Sequence, residues 1–241
     1  MRPARTPCVL SRLATWYPVV MTEDFEFGSE GFSSVARVYR ARDARATLVL
    51  AHGAGSTQDH PWMVALAERL AAAGLETVTI DFLYARRKRR APDPNGILET
   101  TWRAAAQATR NRMKGPALFA GGKSMGGRIA SQVASQGGLD PVAGLVLLGY
   151  PLHPPGKPEV LRTAHLPKVR CPMLFVQGSR DTFGTPEELR PVVEALPAKA
   201  RLFAVEGGDH SLSPRKKSAA MPDVMTRVVA EIDAFVRGVT S

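Results

Sequence analysis

Cysteine is nearly absent from this chain, and its two copies, Cys8 and Cys171, are too few for a disulfide framework. That excludes a small secreted scaffold stapled by bridges and fits a reducing cytoplasm. Cys171 precedes the apolar run Pro172-Met173-Leu174-Phe175-Val176, so it is expected to be a buried structural thiol. No apolar stretch approaches the roughly 18 residues that a membrane helix requires, which argues against a span. Histidines, cysteines and carboxylates do not gather at metal-ligand spacing, so no metal is expected, and nothing calls for another cofactor. Acidic residues are missing from the first 21 positions, where Arg2, Arg5 and Arg12 carry the charge. A secretory signal is not expected there, because Thr15, Tyr17 and Pro18 interrupt the apolar stretch and no small-residue cleavage site follows. Residues 1–21 are read as a tail, either disordered or upstream of a true start at Met21, with a transit peptide as the remaining reading.

The net charge of +10 suggests an anionic partner until its distribution is read. Arg86-Arg87-Lys88-Arg89-Arg90 supplies half of it and the N-terminal arginines three charges more, so the remaining chain is nearly balanced. The basic run lacks interleaved aromatics and any recognised nucleic-acid-binding pattern, which makes nucleic acid the weakest partner. A hydrophobic share of 44% supports one substantial core, and residues 22–241 are expected to form a single domain.

From Asp24 onward the period of the apolar positions alternates between that of strands and that of helices. Residues 25–28 and 34–40 read as an antiparallel pair around Gly28-Ser29-Glu30-Gly31. Strands are expected at 47–51, 76–82, 117–121, 143–148, 173–177 and 201–205. Helices are expected at 61–73, 97–113, 125–136, 186–196 and 222–236, with a polar loop up to Gly96 and another over 149–170. Such alternation predicts an α/β fold, a mainly parallel sheet of about seven to eight strands with helices on both faces. Ligands of these sheets bind at the carboxyl ends of the strands.

Gly122-Lys123-Ser124-Met125-Gly126 falls at a strand-to-helix turn, where a serine held in a strained conformation projects into a site. Ser124 is therefore the candidate nucleophile, and the Met125 N–H, at a helix N-terminus, a candidate oxyanion donor. A serine hydroxyl needs a base oriented by a carboxylate. Of the histidines that follow Ser124, His210 lies directly after the last strand, whereas His153 and His165 lie in a proline-rich segment with no strand end to aim them. His210 is the expected base. Asp181, in Gln177-Gly178-Ser179-Arg180-Asp181 after the strand at 173, is the expected acid; Asp209 competes, but adjacent side chains diverge. The second oxyanion donor is expected in His52-Gly53-Ala54-Gly55, from Ala54 with Gly55 as the alternative, and His52 is read as structural. Gly53, Gly55, Lys123 and the run Arg86, Arg87, Lys88, Arg89 and Arg90 are candidate substrate-binding residues. The run follows a strand that ends on the same sheet edge as Ser124.

Through these motifs the chain resembles the α/β-hydrolases from about Met21 to its end. The segments Gly121-Gly122-Lys123-Ser124-Met125-Gly126-Gly127-Arg128, Gly149-Tyr150-Pro151-Leu152-His153-Pro154-Pro155-Gly156-Lys157 and 177–181 are similar to one branch. It contains bacterial hydrolase-like proteins, a testis-expressed protein and the hydrolase-like subunit of the NSL histone-acetyltransferase complex. More distantly the chain resembles dienelactone hydrolases, which use a cysteine where Ser124 stands. The resemblance implies a serine hydrolase acting on an ester through an acyl-enzyme, with a minimal cap at 151–167 where larger relatives insert helices. It also implies a rival from another class, a non-catalytic interaction module, since this fold also serves in a chromatin complex. The expected partner is a small-molecule ester, anionic if the basic run overhangs the cleft; a membrane is not expected, and a protein partner belongs to the rival reading.

Overall fold

A computed structural model describes residues 20–29, 31–113, 116–213 and 223–241. Most of the expected tail, Cys8 within it, the turn residue Glu30 and the helix start at Pro222 lie outside the described residues. One eight-stranded sheet runs in the order β1-β2-β4-β3-β5-β6-β7-β8. β1 (Thr22–Ser29) and β2 (Phe32–Tyr39) form the antiparallel edge, and β2 pairs antiparallel with β4 (Leu75–Ile80). β3 (Ala46–Ala51), β5 (Leu118–Lys123), β6 (Gly144–Leu148), β7 (Met173–Gly178) and β8 (Ala200–Val205) continue from β4 in parallel.

The central strands are uninterrupted apolar runs because both faces of the sheet are covered; every residue of β3, β6 and β7 is buried. One face packs α3 (Asn95–Arg110), α4 (Met125–Ser135) and α5 (Pro186–Glu194) through Trp102, Ile129, Val133 and Leu189. The other packs α1 (Pro61–Ala72) and α6 (Val224–Thr240) through Leu66, Leu70, Ile232 and Phe235. Trp102 is fully buried, and its indole N–H donates to the Gly126 carbonyl at 3.1 Å, tying α3 to the first turn of α4.

The expected polar loop after β4 is corrected by a short helix, α2 (Leu83–Arg86), in which Leu83, Tyr84 and Ala85 are buried. Four residues are too few for a helical period to show, and the adjacent charges mask the apolar triplet. The long connection after β6 holds no α-helix, only a 3-10 turn at Leu166–Lys168, so the cap is minimal. Its path is set from below: the buried Tyr150 hydroxyl donates to the Arg162 carbonyl at 2.7 Å. No helix among the described residues is long and apolar enough to cross a membrane.

The chain passes from β3 outward to β4 and then back across to β5 on the opposite side of β3. This reversal opens a crevice at the carboxyl ends of β3 and β5, the position where sheets of this kind bind ligands.

Candidate active site

The sharpest local feature is Ser124, whose φ of 51° and ψ of −116° are unfavourable for any side-chain-bearing residue. Its N–H donates to the Leu148 carbonyl on β6 at 2.8 Å, which holds the strained turn in place. The turn can be this tight only because its neighbours lack side chains. A Cβ on Gly122 would stand 2.2 Å from the Ala51 carbonyl oxygen, and one on Gly126 2.3 Å from the same atom. The strand end at β3 and the start of α4 therefore touch backbone to backbone, and the hydroxyl is lifted out of the sheet.

Facing it, His210 Nε2 lies 2.9 Å from Ser124 Oγ, while Nδ1 lies 2.9 and 2.8 Å from the two carboxylate oxygens of Asp181. A carboxylate can only accept, so these partners assign the proton to Nδ1 and leave Nε2 to receive the serine proton. Asp181 is buried, and both its oxygens are engaged beyond the histidine. The Phe183 N–H donates to Oδ1 at 2.8 Å and Gln177 Nε2 donates to Oδ2 at 2.9 Å. Gln177 is itself locked by the Tyr150 N–H, which donates to its carbonyl oxygen at 2.8 Å. The Phe183 ring lies against the imidazole with centroids 4.2 Å apart. Asp209 faces away: its Oδ1 accepts the N–H groups of Ser211 and Ser213 at 2.8 and 3.1 Å, shaping the loop that carries His210.

The loop after β3 completes the enclosure. Gly53 lies beside the serine: a Cβ there would make ordinary contact with Ser124 Cβ at 3.6 Å. Ala54 and Met125 both line the cavity, and the Met125 N–H, first in α4, has no partner within its helix. The Gly55 N–H donates instead to the Tyr84 hydroxyl at 3.2 Å, and that hydroxyl donates to the Gly53 carbonyl at 3.3 Å. Beneath the loop, His52 donates from Nδ1 to the Gly53 carbonyl at 2.8 Å and accepts the Phe82 N–H on Nε2 at 3.2 Å. Burial holds its pKa down at about 4, so it is a neutral structural residue. His165 is bonded to Ser131 at 2.8 Å, and His153 lies 3.5 Å from Glu188; neither belongs to the Ser124 arrangement.

Lys123, immediately before the serine, turns its ammonium to donate to the His210 carbonyl. Burial lowers its pKa from 10.5 to about 8, against the raising pull of Asp181 and Asp209. A lysine whose folded pKa is depressed destabilises the fold fully at pH below 8, and that penalty is relieved as pH rises toward 10.5. The thermal midpoint of the wild type should therefore rise relative to that of Lys123→Met between pH 8 and 10.5. Thermal unfolding of both proteins across this range checks it; parallel curves would mean that the ammonium remains hydrated.

These residues border a cavity of about 1080 Å3, lined also by Trp62, Met63, Leu98, Met225, Arg128 and Arg162. It brings together Ser124, His210, Met125, Gly53, Ala54 and Lys123, with Asp181 behind the histidine. The expected contribution of Gly55 and of Arg86 to Arg90 is not part of its lining. The physical reason is the path set by α2: Arg86 lies 3.8 Å from Glu26, away from the cavity, while Arg89 is taken up in a pair with the lining residue Asp93. Gln177, Tyr84 and Phe183 were not anticipated as support. A polar side chain at the end of an otherwise apolar strand was the available signal for Gln177. Among the described residues no group of three or more histidines, cysteines and carboxylates is placed to hold a metal.

Residues 44–237 match a family described as an alpha/beta hydrolase domain. The chain is also similar to solved structures. A dienelactone hydrolase from Anabaena variabilis is 21% identical, with 91% of this chain and 98% of that one covered at a TM-score of 0.70. An alpha-beta serine hydrolase homologue from Coxiella burnetii is 19% identical, covering 91% and 98% at 0.67. An α/β serine hydrolase without lid from Xanthomonas campestris is 16% identical, covering 92% and 94% at 0.66. At such identities the likeness speaks for the fold, whose sheet and helix layers are those described above.

Proposed function

Because this chain belongs to the alpha/beta hydrolase domain family, we propose that it is a serine hydrolase that cleaves a carboxylic ester, or a related acyl bond, through an acyl-enzyme on Ser124. The observation that carries this reading is the continuous chain from Asp181 through His210 to Ser124 Oγ, with 2.8 and 2.9 Å at its two links. Ser124 Oγ attacks the carbonyl carbon while its proton passes to His210 Nε2, and the negative oxygen that forms is held by the N–H groups of Met125 and Ala54. Collapse of this intermediate expels the alcohol, which takes the proton from His210. Water then attacks the acyl-enzyme with His210 as base, and Ser124 regains its proton as the acid leaves. Asp181 stays ionised and stabilises the imidazolium.

An interaction module has no use for a serine strained into reach of an imidazole, which is why we prefer catalysis over the scaffold reading. The finer resemblance to the branch with the NSL subunit rests on the motifs at 121–128, 149–157 and 177–181. We read residues 22–241 as one domain and, from cysteine usage, place the protein in the cytoplasm.

An acyl-enzyme shared by all substrates with one acyl group makes a testable demand. Phenyl and p-nitrophenyl butyrate, hydrolysed in the presence of methanol, should give the same ratio of methyl butyrate to butyrate. Gas chromatography of the products measures it, and a ratio that changes with the leaving group would mean that water attacks the ester directly.

A further inference from the structure

Two guanidiniums in the cavity have no role in the chemistry above. Arg128 lies one helical turn beyond Ser124 on the same side of α4, about 6 Å along the axis. Arg162 comes from the short cap, where its N–H donates to the Leu152 carbonyl at 2.8 Å and its carbonyl accepts from Tyr150. Both line the cavity that holds Ser124 and His210.

Their electrostatic situation is unlike that of Arg69 and Asp93 at the same wall, and the third cation there, Lys123, turns to the His210 carbonyl. Arg69 is paired with Asp223, and Asp93 with Arg89. Neither Arg128 nor Arg162 has a carboxylate within ion-pair distance among the described residues; Arg128 donates only to the neutral Gln132 amide at 3.3 Å. Glu99 attracts Arg128 from a distance but is itself paired with Arg103. Arg128 is half-buried, and burial first, then repulsion from Arg162, disfavours its charge. Two like charges in a partly desolvated pocket, with no carboxylate paired to either among the described residues, form an arrangement that a bound anion would relieve.

We propose that Arg128 and Arg162 form a subsite for an anionic group, a carboxylate or a phosphate, carried by the ester whose carbonyl is presented to Ser124. The planar forks of two guanidiniums suit the several acceptor oxygens of either group. The nearby Trp62, Met63, Leu98 and Met225 would take the apolar part of the substrate. This inference rests on the hydrolase reading for the word ester, but the anion subsite is measurable without turnover.

The test uses Ser124→Ala protein, with and without the pair Arg128→Gln and Arg162→Gln, and measures binding of glutarate and of inorganic phosphate by calorimetry at low salt. At least one anion should bind, and the arginine pair should account for a loss of at least about tenfold in affinity. Which anion is favoured identifies the group. In protein with Ser124 intact, the same anion should inhibit p-nitrophenyl butyrate hydrolysis competitively, with an inhibition constant raised by the arginine substitutions. Arg42→Gln with Arg190→Gln, both exposed and off the cavity wall, should leave the anion affinity unchanged. Binding of neither anion, or binding equally tight without the two arginines, would overturn the proposal. Anion binding that depends on the arginines, in a protein that turns over no ester, would leave the subsite standing and overturn the hydrolase reading instead.

Discussion

Replacing Ser124 by alanine should lower kcat for p-nitrophenyl butyrate by about 100,000-fold or more while leaving the fold intact. The loss follows from the removal of the attacking atom; what survives is the weaker acceleration owed to binding and to the oxyanion donors. Stability should change little, because the strained turn is held by the Ser124 N–H bonded to Leu148 and by the glycine contacts at 122 and 126, none of which involves the hydroxyl. Steady-state kinetics with a thermal unfolding scan check both halves. A folded Ser124→Ala protein with wild-type turnover would move the nucleophile elsewhere.

The second large effect is expected at the acid. Both oxygens of Asp181 accept hydrogen bonds, from Phe183 on one side and from Gln177 on the other, in addition to His210. An asparagine there has one oxygen for these donors, so its NH2 group must face the Phe183 N–H or the Gln177 amide, and in either position it also meets the imidazole. The histidine is then driven to accept on Nδ1 and carry its proton on Nε2, where it cannot take one from Ser124. Asp181→Asn should therefore lower kcat by about 10,000-fold. Asp209→Asn should have a far smaller effect, because the single oxygen that accepts from Ser211 and Ser213 is one that an asparagine also offers. Parallel kinetics on the two variants decide the matter, and a larger loss for Asp209→Asn would transfer the acid role to it.

Ser124, Asp181 and His210 were legible because each stands just after an apolar strand, and strand ends in an alternating α/β chain gather on one edge of the sheet. The glycines around Ser124 added the backbone requirement. What the sequence did not disclose depends on approach in three dimensions. Tyr84 clamps Gly53 and Gly55 from a helix too short to show a period, and the basic run that follows this helix is not part of the cavity lining. Gln177 supports Asp181 from within a strand whose apolar pattern hides it. Arg128 lies within the motif at 121–128 yet gives no signal there, because neither the proximity of Arg162 nor the lack of a paired carboxylate among the described residues is readable from sequence.

The central claim, an activated serine at the end of β5, is tested most directly by a fluorophosphonate, which reacts with a serine only when a neighbouring base and oxyanion donors activate it. Intact-mass and peptide analysis of the treated protein should show one adduct on Ser124 and none in the Ser124→Ala variant. A wild-type protein that stays unlabelled, or that is labelled equally after Ser124→Ala, would contradict it.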